Sequence, residues 1–390
     1  MLAATNRQPA RAEAMLAARP EIADDDWARL VLGRGWDGDP NAPGGPRGWA
    51  PLIYVCHSCF PSVVLAQDLL ARGADPNASF ENEHGRMSAL YGAAGVAHDP
   101  ELTRVLLEAG ADPDDGESLY HATEAREPDC LRLLLEHGAT TSGTNALAHA
   151  LDDDRIEHVR LLLEAGADPS EGALVAHAVR RGRGPEFVRL LAEHGADPDR
   201  SGGETWRGDA PLRTPYQHAV LRGLDRVADT LAELAASSDV AEDDVAVSAL
   251  ARGERPRAAL PERLDYDQQE VVVLAALRGH LDAVVDAVGP DFRGVVGGSP
   301  EGSLLHHAAW IGSPRLVREL LERGADPAGA GGTTGSPLAW AAHGSHNHAL
   351  EGRDHAAVAE LLVEAGVTAE PDLLELADGP LYAWLEERLP

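Results

Sequence analysis

Two short stretches hold side chains spaced for chemistry. Cys56-His57-Ser58-Cys59 sets two thiols three residues apart around an imidazole, the spacing of a redox or metal pair. The surrounding run, APLIYVCHSCFPS, reads as a helix and an expanded turn, and the second ligand pair that a zinc ribbon needs is missing. Buried, inert thiols are the plainer expectation. His343, His346 and His348, with His355 beyond them, stand close enough in sequence to ligate a transition metal. No cysteine or fixed carboxylate geometry accompanies them, so solvated loop histidines are the competing reading. Enzyme signatures are missing: there is no G-x-S-x-G, no H-E-x-x-H, no phosphate-binding loop and no G-x-G-x-x-G after a strand. The run GGSPEGS at 297–303 is a linker, because no Lys follows it. No cofactor is expected.

The elements that would position such groups are visible as repeats. LLARGADPN ends at Asn77, LLEAGADPD at Asp114, LLLEAGADPS at Ser170, LLAEHGADPD at Asp199 and LLERGADPA at Ala328. Each phrase is a helix stop: the leucines close a helix, Gly supplies the left-handed conformation that ends it, and Asp-Pro starts an extended turn. Upstream of each stop lies a shorter helix signal, as in TPYQHAVLRGLDRVADTL from Thr214 and SLLHHAAWIGSPRLVRELL from Ser303. Thr or Ser caps that helix, and small pairs such as Ala308-Ala309 let neighbouring helices approach closely. Units that cannot bury their apolar face alone must stack.

Composition agrees. Hydrophobic residues make up 44% and aromatic ones only 4%, which suits small-residue helices better than aromatic-rich strands. The net charge of -31 arises from 64 acidic against 33 basic residues, and every basic side chain apart from histidine is Arg. Such repulsion disfavours nucleic acid and anionic membrane as partners. The 3 cysteines cannot build a disulfide framework, no apolar stretch reaches membrane-spanning length, and the start lacks a secretory pattern, so a cytoplasmic location is expected.

The combined pattern resembles the ankyrin repeat, T-P-L-H-x-A-A, a Gly, a second helix, then G-A-D. The best matches are Ser303–Pro327, Ser336–Gly366 and Thr214–Leu234. The resemblance implies an all-α ankyrin-repeat solenoid of about ten stacked helix-turn-helix units. Capping helices are expected at 1–36, the array at 37–371 and a last capping helix at 372–390. The array is degenerate around 244–292, where Pro256 and Pro261 occupy the place of a second helix. Connections at 37–48, 79–86, 200–212 and 290–302 exceed the template and are expected to extend finger-like turns, with Trp206 as an anchor and Trp36 and Trp49 flanking the first. The Ala-, Arg- and Gly-rich style looks like that of a high-GC bacterium.

In that family the first helix of each unit lines a concave face, and the two residues before its Gly point into the groove. Carried over, these include Asp152-Asp153, Arg180-Arg181, Arg222, Arg252, Arg278 and Trp310. Arg181, Arg222, Arg252 and Arg278 follow one another in successive units. Either they form an anion-gripping row, or Arg is merely a good helix former near a helix C-terminus. The x position is His121, His149, His177, His218 and His307, on the same helical face. It reads as a proton-responsive groove floor, or as imidazoles that only bond to the backbone of neighbouring units.

The resemblance implies a scaffold or adaptor that binds a protein through its concave face and finger loops, as a monomer or weak homo-oligomer. The alternative is a protein that binds a small anionic molecule, an enzyme included, in a His- and Arg-lined pocket.

Overall fold

The computed structural model describes residues 2–6, 9–83, 85–203, 211–234, 237–329, 335–347 and 352–389. The chain forms two compact units, Met1–Asp197 and Pro198–Pro390, a division that falls inside the repeats rather than at their ends.

Unit 1 begins with α1 (Leu2–Thr5), α2 (Pro9–Ala18), a 3-10 turn at Pro20–Asp24 and α3 (Asp26–Val31). Helix pairs follow: α4 (Pro51–His57) with α5 (Val63–Ala71), then the hairpin β1 (Ser79–Asn82) and β2 (Gly85–Ser88). Next come α6 (Ala89–Tyr91), which widens into a π-helical stretch at Gly92–Ala97, and α7 (Pro100–Glu108). The remaining pairs are α8 (Ser118–Ala122) with α9 (Asp129–Glu136), α10 (Ala146–Ala150) with α11 (Ile156–Glu164), and α12 (Leu174–Arg180) with α13 (Pro185–Glu193). The second helices bury Leu69, Leu106, Leu134, Leu162 and Leu191 completely, each burial contributing about 1.5–3 kcal/mol. From the first helices come small residues, Ala93, Ala122, Ala150 and Ala178 among them.

Each stop phrase closes as its residues require. Gly166 adopts φ 92°, and Ala167 N–H reaches back to the Leu162 carbonyl at 2.9 Å, the bond that seals a left-handed helix end. The residue after Asp-Pro then clamps the next unit. Asn77 donates to the Gly110 carbonyl at 3.1 Å and accepts from Asp112 N–H at 2.8 Å. Asn41 does the same to Gly73 and Asp75, at 2.7 and 2.8 Å. The sequence Gly-Asp-Pro-Asn at 38–41 is therefore already a repeat turn, although it falls where a loop beyond the capping helices was expected.

Unit 2 contains α14 (Pro215–Leu221) and α15 (Asp225–Leu234), then α16 (Glu242–Ala251) alone. Pro256 and Pro261 deny the following segment a second helix, and regular structure resumes at α17 (Tyr266–Leu277), paired with α18 (Leu281–Val288). After β3 (Arg293–Gly294) and β4 (Gly302–Ser303) come α19 (Leu304–Trp310) with α20 (Pro314–Glu322), α21 (Pro337–Asn347) with α22 (His355–Glu364), and the terminal α23 (Leu373–Leu376) and α24 (Gly379–Glu386). Thr214, Asp265 and Ser303 cap α14, α17 and α19, each in a reciprocal bond with the side chain three residues on.

Antiparallel pairs bracket the long connections. Gly44 pairs with Trp49 and Gly202 with Arg213, while β1 pairs with β2 and β3 with β4, all antiparallel. Trp49 stacks on Phe80 at 4.2 Å and Trp36 packs on Trp27 at 4.4 Å. Trp206 lies outside the described residues.

Gly344 lets two first helices, α19 and α21, approach closely. A Cβ there would stand 2.2 Å from the Trp310 carbonyl oxygen, a backbone atom with no freedom to give way. Gly344→Ala is expected to destabilise unit 2 by about 1–3 kcal/mol through overpacking. A melting temperature equal to that of the unsubstituted protein in calorimetry would refute this account of the contact.

Candidate functional site

The first helices of unit 1 present polar side chains that are held by the neighbouring repeat. Tyr120 and His121 leave the end of α8. His121 Nδ1 lies 2.8 Å from a Glu124 carboxylate oxygen and its Nε2 lies 3.3 Å from Glu117. Tyr120 stacks on His149 of α10 at 4.0 Å, and His149 Nδ1 meets the Thr123 hydroxyl at 2.7 Å. One repeat further, Asp152 takes His177 Nε2 at 2.8 Å and Arg181 Nε at 2.7 Å. Arg155 caps α8, donating to the carbonyls of Thr123 at 3.2 Å and Ala125 at 2.8 Å, and it also pairs with Asp153 at 3.0 Å. The Tyr120 hydroxyl is raised above its ordinary pKa by burial and by the negative charges of Asp152, Glu124 and Glu117. His177 is lowered, chiefly by burial and against the pull of Asp152.

Unit 2 departs from the expected row. Arg222 is only 8% exposed and reaches Glu270 at 2.7 Å and Asp267 at 3.5 Å. It serves the core, because α17, the helix beyond the eroded repeat, offers it two buried carboxylates. Arg252 is tied to Asp225 at 2.6 Å and to Ser248 at 2.8 Å. Arg278 is exposed, and Arg180 is half-buried at the end of α12. Arg181, Arg222 and Arg252 thus each bond a carboxylate of the same chain, which weakens them as anion grips.

The histidine column also splits. His218 and His307 are buried and bond through Nε2 to the carbonyls of Gly202 at 2.8 Å and Gly294 at 3.0 Å, tying each first helix to the hairpin before it. These two fasten backbone rather than floor a groove. Trp310 is half-buried, edge-on to Trp340 at 6.0 Å and tilted on His343 at 5.2 Å. His343 and His346 belong to α21 itself, not to an inserted loop, and His346 faces Asp378 at 3.7 Å. His348 lies outside the described residues, and among the described residues no group of His, Cys, Asp or Glu is arranged to hold a metal ion.

The repeat geometry now has counterparts. Residues 90–173 match the ankyrin-repeat family as three copies, and residues 303–330 match a single ankyrin repeat. The chain carries ankyrin repeats.

Among solved structures it is similar to the ankyrin repeat domain of Bcl-3, a member of the IkappaB protein family. That match has 27% identity over 45% of this chain and 82% of that one, with a TM-score of 0.36. It is also similar to an ankyrin repeat domain from Acinetobacter baumannii AYE, at 26% identity over 44% and 91% of the two chains and a TM-score of 0.38. No curated protein sequence matches it. Ankyrin repeats are a protein-interaction module. Among the described residues no helix is long and apolar enough to cross a membrane.

Among the described residues the three cysteines form no disulfide. Burial pushes Cys56 far up and Cys130 to about 11, the latter against a hydrogen bond from Thr103. Neither is a ready nucleophile at neutral pH.

Sequence reading missed the buried ion network of unit 2. Arg213 grips Asp244 through Nε at 2.8 Å and Nη2 at 2.7 Å, and it reaches Asp265 at 2.6 Å and Asp267 at 3.3 Å. Gln268 adds a bond to Asp244 at 2.8 Å. Its only sequence signal was the acidic run Asp265-Tyr-Asp-Gln-Gln-Glu270 opening a helix, which looks like a solvated first turn.

Proposed function

We propose that this ankyrin-repeat protein is a scaffold whose first-helix face in unit 1 holds a protein partner. The supporting observation is the ordered row of half-exposed side chains there: Tyr120, His121, His149, Asp152 and His177 are each fixed by a contact to a neighbour. Side chains already immobilised lose little entropy when a partner binds, which favours recognition by a preformed surface. Asp153 and Arg181 lie at its exposed rim.

The small-anion reading has less support, since its arginines are engaged by carboxylates. The cleft of about 540 Å³ in unit 2 is lined by Arg255, Leu260, Ala283 and Asp286 among others, and by none of the expected His or Arg groups. A cytoplasmic location and a monomer or weak homo-oligomer are parts of the same proposal.

Photo-crosslinking in the source cell tests it. A benzoylphenylalanine placed at Tyr120 is expected to capture one defined protein, while the same group at Val64, an exposed second-helix position, captures none. Identical capture at both positions, or none at either, would remove the first-helix face as the docking surface.

A further inference from the structure

Aromatic rings run in file across the first helices of unit 1. Tyr91 lies 5.1 Å from His121, His121 5.0 Å from Tyr120, and Tyr120 4.0 Å from His149. Both Tyr91 and Tyr120 are half-exposed. Two carboxylates flank this file, and they differ from their neighbours. Asp152, Asp153 and Asp154 are each met by a guanidinium, from Arg181 at 2.7 Å, Arg155 at 3.0 Å and Arg183 at 3.4 Å. Among the described residues the carboxylates of Glu117 and Glu124 pair with imidazoles, His121 at 3.3 and 2.8 Å and His149 at 3.8 Å from Glu124, while Arg155 takes the main-chain carbonyl of Glu124 and not its carboxylate. A carboxylate has about four acceptor sites, so each of these retains capacity for a further donor.

We infer that the partner of this face is a basic peptide segment, whose arginine side chains lie along the Tyr91–His121–Tyr120–His149 file and fork onto Glu117 and Glu124. A guanidinium is planar: it stacks on aromatic faces and donates paired N–H groups to a carboxylate, so one residue type satisfies both features. The carboxylates of Glu117, Glu124 and Asp152 all act on the Tyr120 hydroxyl, which places their negative potential along the same file. An acidic or phosphorylated segment would meet repulsion there. The inference rests on the first-helix face being the docking surface.

The net charge of -31 attracts basic peptides anywhere on the chain, so binding alone decides nothing. The probe is acetyl-(Gly-Arg)₄-amide, read by fluorescence anisotropy on the full chain near physiological salt, where long-range attraction is screened. Glu117→Gln/Glu124→Gln is expected to weaken binding by about tenfold or more, as is replacing the peptide's arginines with uncharged citrulline, consistent with the loss of charge-assisted bonds. Tyr120→Leu weakens it with the carboxylates intact. Glu360→Gln/Glu364→Gln, on the second helix α22, changes it less than about twofold, the scale of an exposed charge.

Equal losses in the two glutamine pairs, or no loss in the first, would show that the peptide responds to overall charge and would overturn the inference. If the Tyr120 crosslink to a cellular protein persists undiminished in Glu117→Gln/Glu124→Gln, the docking surface stands and the basic partner falls. If the crosslink fails at the outset, the docking reading itself is lost.

Discussion

Arg213→Ala is expected to cost unit 2 about 3–5 kcal/mol, the range for removing one member of a buried ion set. Arg213 is 4% exposed, Asp244 4% and Asp267 0%. Burial alone would favour the neutral guanidine, but the hydrogen bonds that Arg213 donates to Asp244 and Asp265 outweigh it and raise its pKa. The guanidinium is therefore charged at every relevant pH. Without it Asp244, Asp265 and Asp267 lose a shared cation in a low-dielectric interior, and Arg222 reaches Asp267 at 3.5 Å. Urea unfolding followed by circular dichroism would read the change as a lower midpoint. A shift equivalent to less than about 1 kcal/mol would mean that the network is solvated and that its burial has been misjudged. Because the cost is that of orphaned charges, removing Asp267 together with Arg213 is expected to destabilise less than the sum of the single changes.

Acid should weaken the same unit. Burial lowers His307 from its ordinary value of 6.5 to about 4, against the opposing hydrogen bonds to the carbonyls of Gly294 and Gly302 and with the help of nearby His306. His306 is lowered as well, again mainly by burial. Between pH 6.5 and about 4 the unfolded chain therefore binds a proton that the folded one refuses. Stability is complete above 6.5, declines as pH falls through that window, and levels off below about 4. A displacement of this size corresponds to about 3 kcal/mol at full effect. Carboxylates contribute to any acid unfolding, so the informative quantity is a difference. His307→Gln, which keeps a donor for Gly294, should flatten the dependence of the midpoint on pH between 7 and 4.5. Parallel curves for the two proteins would sink the assignment.

The sequence made the repeats legible because their determinants are local. A glycine at φ 92° and a leucine five residues before the next alanine describe Gly166 and its helix end whatever surrounds them. The absent second helix after α16 was legible for the same reason, since Pro256 and Pro261 act within their own segment. The site was legible only in part. In unit 1 Glu124 lies between His121 and His149, and Asp152 between His177 and Arg181. Whether an arginine points outward depends on what the next two repeats offer it, and nothing near Arg222 in sequence announces Glu270. His218 and His307 look like His149 on the template, yet each has a hairpin carbonyl within reach and His149 has Thr123 instead. The turn at Asn41 was missed because Trp36-Asp-Gly-Asp stands where Gly-Ala-Asp is usual.

In an ordinary repeat array each unit touches only its neighbours, and stability is close to a sum of local terms that lets the ends fray one unit at a time. Arg213 and Arg222 break that arithmetic. From the repeat of α14 they bind Asp265, Asp267 and Glu270 of α17, two repeats away, by reaching past the unit that lacks its second helix. The eroded repeat thus acts less as a weak link than as a window through which its neighbours are bolted together. The stretch from α14 to α17 should open and close as one cooperative block, and fraying from either side should stop there.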